Sequence, residues 1–272
     1  MINHYIPSFP LSNFVELFWL YQGQVQPSHS LERALPTGTM ELVISLQNET
    51  LKIYDNQDHK KYQSFKGSLI SGVHSESFII DTSSQISVMG IHFKPAGAFP
   101  FLNLPAGELH NTTVSLDNFW GGKAEEMRER LLAAPSSLEK FKLLEHYLLS
   151  HIKQPLKRHP AIEFALKKIP SLQHSRAISE LTDQIGLSSR RFIELFNKQV
   201  GLSPKLFSRV CRFQYALRII NSTKQMDWSE IALECGYFDQ AHFIHEFKAF
   251  SGLSPTVYKK QKGENLNHVP IG

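Results

Sequence analysis

The chain repeats itself near its C-terminal end. Phe192-x3-Phe196-x4-Gly-Leu-Ser-Pro204 recurs as Phe243-x3-Phe247-x4-Gly-Leu-Ser-Pro255, 51 positions later. Upstream, Glu180-Leu181 and Gly186 match Glu230-Ile231 and Gly236 at an offset of 50. Two copies of one supersecondary unit account for this, with the one-residue difference in the turn between the two helices of each unit. In the second copy Asp227-Trp-Ser-Glu230 reads as a helix start, with an Asp able to accept from free backbone N–H groups. Ile231, Ala232 and Cys235 form a buried face, and Gly236 supplies a tight turn. Asp239 caps a second helix with Phe243, Phe247 and Phe250 on its core side, Gly252 ends it, and Ser254-Pro255 opens another. The first copy has the same grammar, with Gly186, Ser188, Gly201 and Ser203-Pro204 in those roles. Between the copies, Leu206, Val210, Phe213, Leu217 and Ile220 predict one long helix over 204–222. At about 1.5 Å per residue it spans roughly 28 Å, close to the ~34 Å between successive turns of a DNA groove.

The front of the chain has a different period. Glu41–Leu46 and Val88–Phe93 are short β-prone runs, the second placing Met89, Ile91 and Phe93 on one face and Val88, Gly90 and His92 on the other. Turn residues such as Pro36-Thr-Gly38 separate the runs, which predicts a β-barrel or sandwich. After Trp120 the period becomes helical: a charged helix covers 124–131, and Leu138, Phe141, Leu144, Leu148 and Ile152 stripe another. The fold class expected is α+β in two domains: a β-rich, barrel-like domain with trailing helices over 1–152 and an all-α domain over 160–262. A Pro-containing polar linker covers 153–159, and 263–272 is expected to be a flexible tail.

Charge sharpens the division. Residues 157–262 hold 17 of the 29 Lys and Arg but only 9 of the 25 Asp and Glu, a net of +8, leaving −4 for the rest. A basic helical part behind an acidic front points to nucleic acid. Two cysteines, Cys211 and Cys235, are too few for a disulfide scaffold and fit a reducing compartment; each sits on an apolar helix face, where a small hydrophobe is a commoner role than a redox switch. The start of the chain lacks the pattern of a signal peptide and no run suits a membrane span, so a cytoplasmic protein without membrane contact is expected.

Residues 160–262 resemble the DNA-binding domain of the AraC/XylS transcription regulators. The matching residues are Ile231-Ala232, Gly236-Tyr-Phe-Asp-Gln-Ala-His-Phe243, Phe247-Lys248 and Gly252-Leu-Ser-Pro-x2-Tyr258. The front half is similar, more loosely, to the β-rich sensor-type domain of some members through Leu35-Pro-Thr-Gly-Thr-Met-Glu-Leu42 and His110-Asn-Thr-Thr-Val-Ser-Leu-x3-Trp120. The resemblance implies a seven-helix domain with two helix-turn-helix motifs and a sequence-specific regulator of transcription. Its DNA-facing positions fall on Ser189, Arg190, Arg191, Ile193 and Glu194 in the first unit, and on Asp239, Gln240, Ala241, His242 and His245 in the second. Arg190 suits guanine, Gln240 suits adenine, and Glu194 repels phosphate but can accept from cytosine. Thr182 stands where the family has a small Ala. Lys205, Arg209, Arg212 and Arg218 line the long helix and are expected to supply phosphate contacts or a solvated face.

The partners implied are double-stranded DNA, a small-molecule effector in the front half, RNA polymerase and a second copy of the chain. Trp19, Arg33, Glu41, His92 and Phe93 are the candidates for lining an effector pocket. No cofactor or metal is expected, because His242 and His245 lack a third ligand at suitable spacing and the front-half histidines are scattered. No nucleophile or phosphate-loop motif is present, and the protein is read as a non-enzyme. Two alternatives remain: a cupin-like or repair enzyme fused to a DNA-targeting module, and a regulator whose front half binds only protein.

Overall fold

The computed structural model describes residues 2–23, 31–47, 50–82, 87–171, 177–222 and 227–271. In chain order the strands of the front half are β1 (Ile2–Tyr5), β2 (Val15–Gln22), β3 (Leu31–Ala34), β4 (Glu41–Ser45), β5 (Thr50–Tyr54), β6 (Tyr62–Lys66), β7 (Ser68–Ser71), β8 (Phe78–Asp81), β9 (Ser87–Phe93) and β10 (Thr113–Ser115). Three helices follow, α1 (Asp117–Trp120), α2 (Gly122–Ala133) and α3 (Ser137–Ser150). The C-terminal half is α4 (Pro160–Lys168), α5 (Ala177–Ile185), α6 (Ser189–Val200), α7 (Pro204–Ser222), α8 (Trp228–Glu234), α9 (Gln240–Ser251) and α10 (Pro255–Gln261), closed by strand β11 (His268–Ile271).

The strands form two antiparallel sheets, ordered β1-β2-β9-β4-β7-β10 and β11-β3-β8-β5-β6. Alternation sends each side chain of β9 to the face its position dictates. Met89, Ile91 and Phe93 join Phe18, Leu20, Leu42 and Ile70 in the main core with Trp120, Phe141, Leu144 and Leu148 from α1 and α3. Gly90 lies on the other face, where a Cβ would stand 2.4 Å from the Trp19 ring, so the indole crosses β9 where there is no side chain. That face meets the second sheet through a smaller cluster of Leu51, Phe65 and Leu69, with Val43 and Ile53 packed against it. The expected helical stripe is shorter than its spacing predicts: Leu138 and Ile152, at its ends, are 59% and 38% exposed.

The two halves share one continuous apolar core, which runs from the front sheet through Val73 and Ala106 to Phe196, Phe207 and Val210. Gln214 on α7 donates to the Pro36 carbonyl and to Asn267 Oδ1, both at 2.7 Å. The expectation of a flexible tail over 263–272 is corrected for 268–271, which pair with β3 as an edge strand of the second sheet. Val269 is buried in the core, and the Tyr258 hydroxyl donates to the Leu266 carbonyl at 2.9 Å. Pro270 fits this strand because an edge position tolerates the missing N–H. Among the described residues no helix is long and apolar enough to cross a membrane.

Candidate nucleic-acid interface

Both repeated units are built as their residues dictate. In the second, Asp227 Oδ1 accepts from Ser229 and Glu230 N–H at 2.7 and 3.4 Å and starts α8. Ile231, Ala232 and Cys235 are buried, Gly236 turns the chain at φ 73°, and Asp239 Oδ1 caps α9 by accepting from His242 N–H at 2.7 Å. Phe243, Phe247 and Phe250 face the core, and Gly252 at φ 72° ends the helix. In the first, Gly186 at φ 70° and the Ser188 cap on Arg191 N–H, at 3.3 Å, launch α6 with Phe192, Phe196 and Val200 inward. Burying the aromatic stripe of each second helix leaves the opposite stripe in water.

That outer stripe holds the residues singled out from the sequence. Ser189, Arg190, Arg191, Ile193 and Glu194 on α6 are exposed, as are Asp239 and, on α9, Gln240, Ala241, His242 and His245. Their mutual contacts are weak ones. Arg190 Nε lies 3.0 Å and Arg191 Nη1 3.8 Å from the Glu194 carboxylate. Such exposed pairs contribute about 0–1 kcal/mol, so either arginine can be drawn to an incoming anion, while Glu194 is largely neutralised by its two neighbours. Gln240 Oε1 accepts from the Ser229 hydroxyl at 3.0 Å, which steadies the amide between α8 and α9.

One ionic cluster was not anticipated. Glu246, its side chain 5% exposed, sits inside the second unit and accepts from Arg209 Nε at 2.7 Å and from Arg212 Nη2 at 2.8 Å. Two of the four basic residues expected to line α7 as phosphate contacts or a solvated face are therefore turned to a buried carboxylate, leaving Lys205 and Arg218 exposed on that helix. Arg212 also covers the Tyr237 ring at 4.4 Å. The available signal was Glu246 itself, a charge placed among Phe243, Phe247 and Phe250, which demands a buried partner.

The five effector candidates divide. Trp19 Nε1 donates to Glu41 Oε1 at 2.8 Å, and His92 Nδ1 stands 3.9 Å from the same oxygen, between the two sheets. Burial disfavours the Glu41 anion, but His92, the more distant His268 and the Trp19 N–H outweigh it and hold the carboxyl below its ordinary range. Burial likewise lowers His92, and Glu41 more than restores it, so the imidazole titrates above its ordinary value. Phe93 points to the other face of the sheet, and Arg33 lies at the junction of the halves, donating to Ser77 Oγ at 3.1 Å. Phe93 instead borders an apolar crevice with Phe101, Trp120 and Leu148 that encloses about 10 Å³, the room of one water.

The thiols behave as hydrophobes: burial pushes both Cys211 and Cys235 up to about 12. Among the described residues no group of three or more His, Cys, Asp or Glu side chains is placed to hold a metal.

Residues 181–261 match a family described as "Helix-turn-helix domain", and residues 3–115 match one described as "Domain of unknown function (DUF6597)". An uncharacterized HTH-type transcriptional regulator of Haemophilus influenzae is 32% identical over 124 residues, covering 42% of this chain and 41% of that protein. The probable transcriptional regulator LumQ of Photobacterium leiognathi is 31% identical over 88 residues, covering 32% and 35%. The arabinose operon regulatory protein of Escherichia coli is 28% identical over 94 residues, covering 35% and 32%. The chain thus spans less than half the length of these curated relatives. A solved structure of ToxT from Vibrio cholerae, with unsaturated fatty acid bound, aligns over 89% of this chain and 94% of its own at 12% identity and a TM-score of 0.45. Residues 181–261 are an AraC-type helix-turn-helix domain, standing behind a β-rich domain of a family whose function is unassigned.

Proposed function

We propose that the protein is a sequence-specific DNA-binding regulator of transcription and not an enzyme. The carrying observation is that the outward stripes of α6 and α9, with the Asp239 cap, leave exposed all the recognition-helix residues that the resemblance assigns to DNA, within the first half of each capped helix. Helix-turn-helix proteins place the N-terminal residues of the second helix against base edges. In this reading residues 160–262 bind duplex DNA, 153–159 link, and 1–152 sense. Arg190 and Gln240 read bases, Ser189, Arg191 and Lys205 approach phosphate, and RNA polymerase and a second copy of the chain are partners. Two free thiols fit a cytoplasmic setting.

An effector would bind between the sheets at Trp19, Glu41 and His92, where a carboxylate, an imidazole and an indole converge. A drug-sized ligand needs roughly 300 Å³ or more, so the effector would act by favouring a more open arrangement of the front half. The experiment is a salt series on the full chain with duplex DNA. If about six phosphates are contacted, affinity falls by about 10³-fold or more between 50 and 200 mM salt. Salt-insensitive binding, or none to any duplex, overturns the reading.

A further inference from the structure

The two units differ by one residue, and the turns locate it. Gly186 and Gly236 share the left-handed conformation and lie 50 positions apart. The caps that follow, Ser188 and Asp239, lie 51 apart. Leu187 alone bridges the first pair, whereas Tyr237 and Phe238 bridge the second. Leu187 packs against the core and Tyr237 is buried, so these two play the same part. Phe238 is the additional residue, and at 86% exposure its side chain is the most exposed of the large hydrophobics among the described residues.

The ring is held outside by its own backbone. Tyr237 N–H donates to the Ala232 carbonyl at 2.9 Å, and its ring meets His242 edge-on at 5.3 Å. Phe238 N–H points to His242 Nδ1 at 3.4 Å, and the next residue is the α9 cap. Pinned on both sides, the phenyl ring stays in solvent at the residue just before the exposed Asp239, Gln240 and Ala241. It therefore belongs to the surface that leads into a groove, and only the second unit has one.

We propose that Phe238 packs against the 5-methyl group of a thymine in the major groove, an inference that rests on the DNA-binding reading above. The methyl is the one apolar group that base edges present there, and Phe is among the side chains that seat on it. Gln240, two residues along, has the donor and acceptor that suit adenine, so the second unit favours an A·T-containing half-site. The first unit lacks a counterpart of Phe238, so the thymine contact made by this ring falls on the half-site of the second unit.

The test uses the full chain and a duplex enriched from a random-sequence pool, with each thymine replaced in turn by deoxyuridine. One replacement, within the half-site of the second unit, should weaken wild-type binding about four-fold, the factor that roughly 0.8 kcal/mol for one buried carbon gives. Phe238→Ala should lose at least that factor on the thymine duplex and show no further loss at that deoxyuridine. If Phe238→Ala binds the thymine duplex like wild type, or keeps the wild-type deoxyuridine profile, the contact does not exist and the ring is left for a protein partner. If the wild-type chain enriches no duplex, the DNA-binding reading fails and this inference with it; enrichment with an indifferent Phe238→Ala sinks this inference alone.

Discussion

The second helix of the first unit, α6, wears its carboxylate outside, while α9 of the second buries one. Glu194 is half exposed between Arg190 and Arg191, whereas Glu246 is enclosed by Arg209 and Arg212 from α7. The position matching Glu246 in the first unit, 51 residues earlier, is Leu195, a partly buried leucine packed on the core. α6 also leans on the front half: Asn197 crowds the segment at Gly107, where a Cβ would meet its Oδ1 at 2.0 Å, and Lys198 lies 6.0 Å from the Phe99 ring. At this matched position one skeleton is thus gripped by apolar packing in one copy and by an ionic tie to the connecting helix in the other. Glycines, caps and aromatic spacing fix the skeleton; what grips it is free to differ.

Between the two matched positions, the larger effect is expected at Glu246. Glu246→Ala strands two arginines without their counter-ion, and breaking a buried pair from one side costs about 3–5 kcal/mol. Arg209 is partly solvated, which places the value at the low end of that range. Leu195→Ala, at the matching site, removes a half-buried leucine and costs about 2 kcal/mol. Urea denaturation of the full chain ranks them. Equal losses would mean that the ion cluster grips no harder than ordinary packing.

Next is the helix that joins the units. Ala216 is buried in the middle of α7, and Ala216→Pro removes an intrahelical bond and kinks the helix at a cost of about 3 kcal/mol or more. The two units then lose their mutual spacing, so specific binding should fall far more than with Arg190→Ala or Gln240→Ala, each about 1–3 kcal/mol in affinity. A variant that circular dichroism shows to be folded, yet binds a selected duplex like wild type, removes the case for α7 as a rigid strut.

Legibility in the sequence followed the range of the interactions. The helical half was readable because its determinants are local: Gly186, Gly236, Gly201 and Gly252 take the left-handed backbone at the turns expected, and Ser188, Asp227, Asp239 and Ser254 cap the helices expected. The strands β4 and β9 were visible in alternation, but nothing local says that β9 pairs with β2 and β4, 43 to 78 residues away. The same gap hid β11, whose partner β3 lies more than 230 residues upstream, and the tie from Glu246 to α7. In the front site, Trp19, Glu41 and His92 come from three neighbouring strands and converge, while Phe93, adjacent to His92 in sequence, is carried to the opposite face by the strand's own period.

The smallest effect separates the two caps. Ser188 and Asp239 each satisfy a free N–H at the start of a second helix, and either changed to Ala costs about 1 kcal/mol of stability. Asp239 differs in carrying a charge, which favours the positive end of the α9 dipole by about 0.3–1 kcal/mol and also stands where DNA phosphate would approach. Asp239→Asn keeps an equally good cap, so the urea midpoint should shift only by the lost dipole interaction. In binding, the same change removes a repulsion that salt screens over about 10 Å at 0.1 M. Affinity for a selected duplex should therefore rise at 50 mM salt and rise less at 200 mM, while the matched neutral exchange Ser188→Asn leaves the salt series of the first unit unchanged. A gain for Asp239→Asn that is the same at both salts, or a loss at both, would mean that the Asp239 carboxylate does not face phosphate, and that the N-terminal end of α9 is not the part of the second unit that enters the groove.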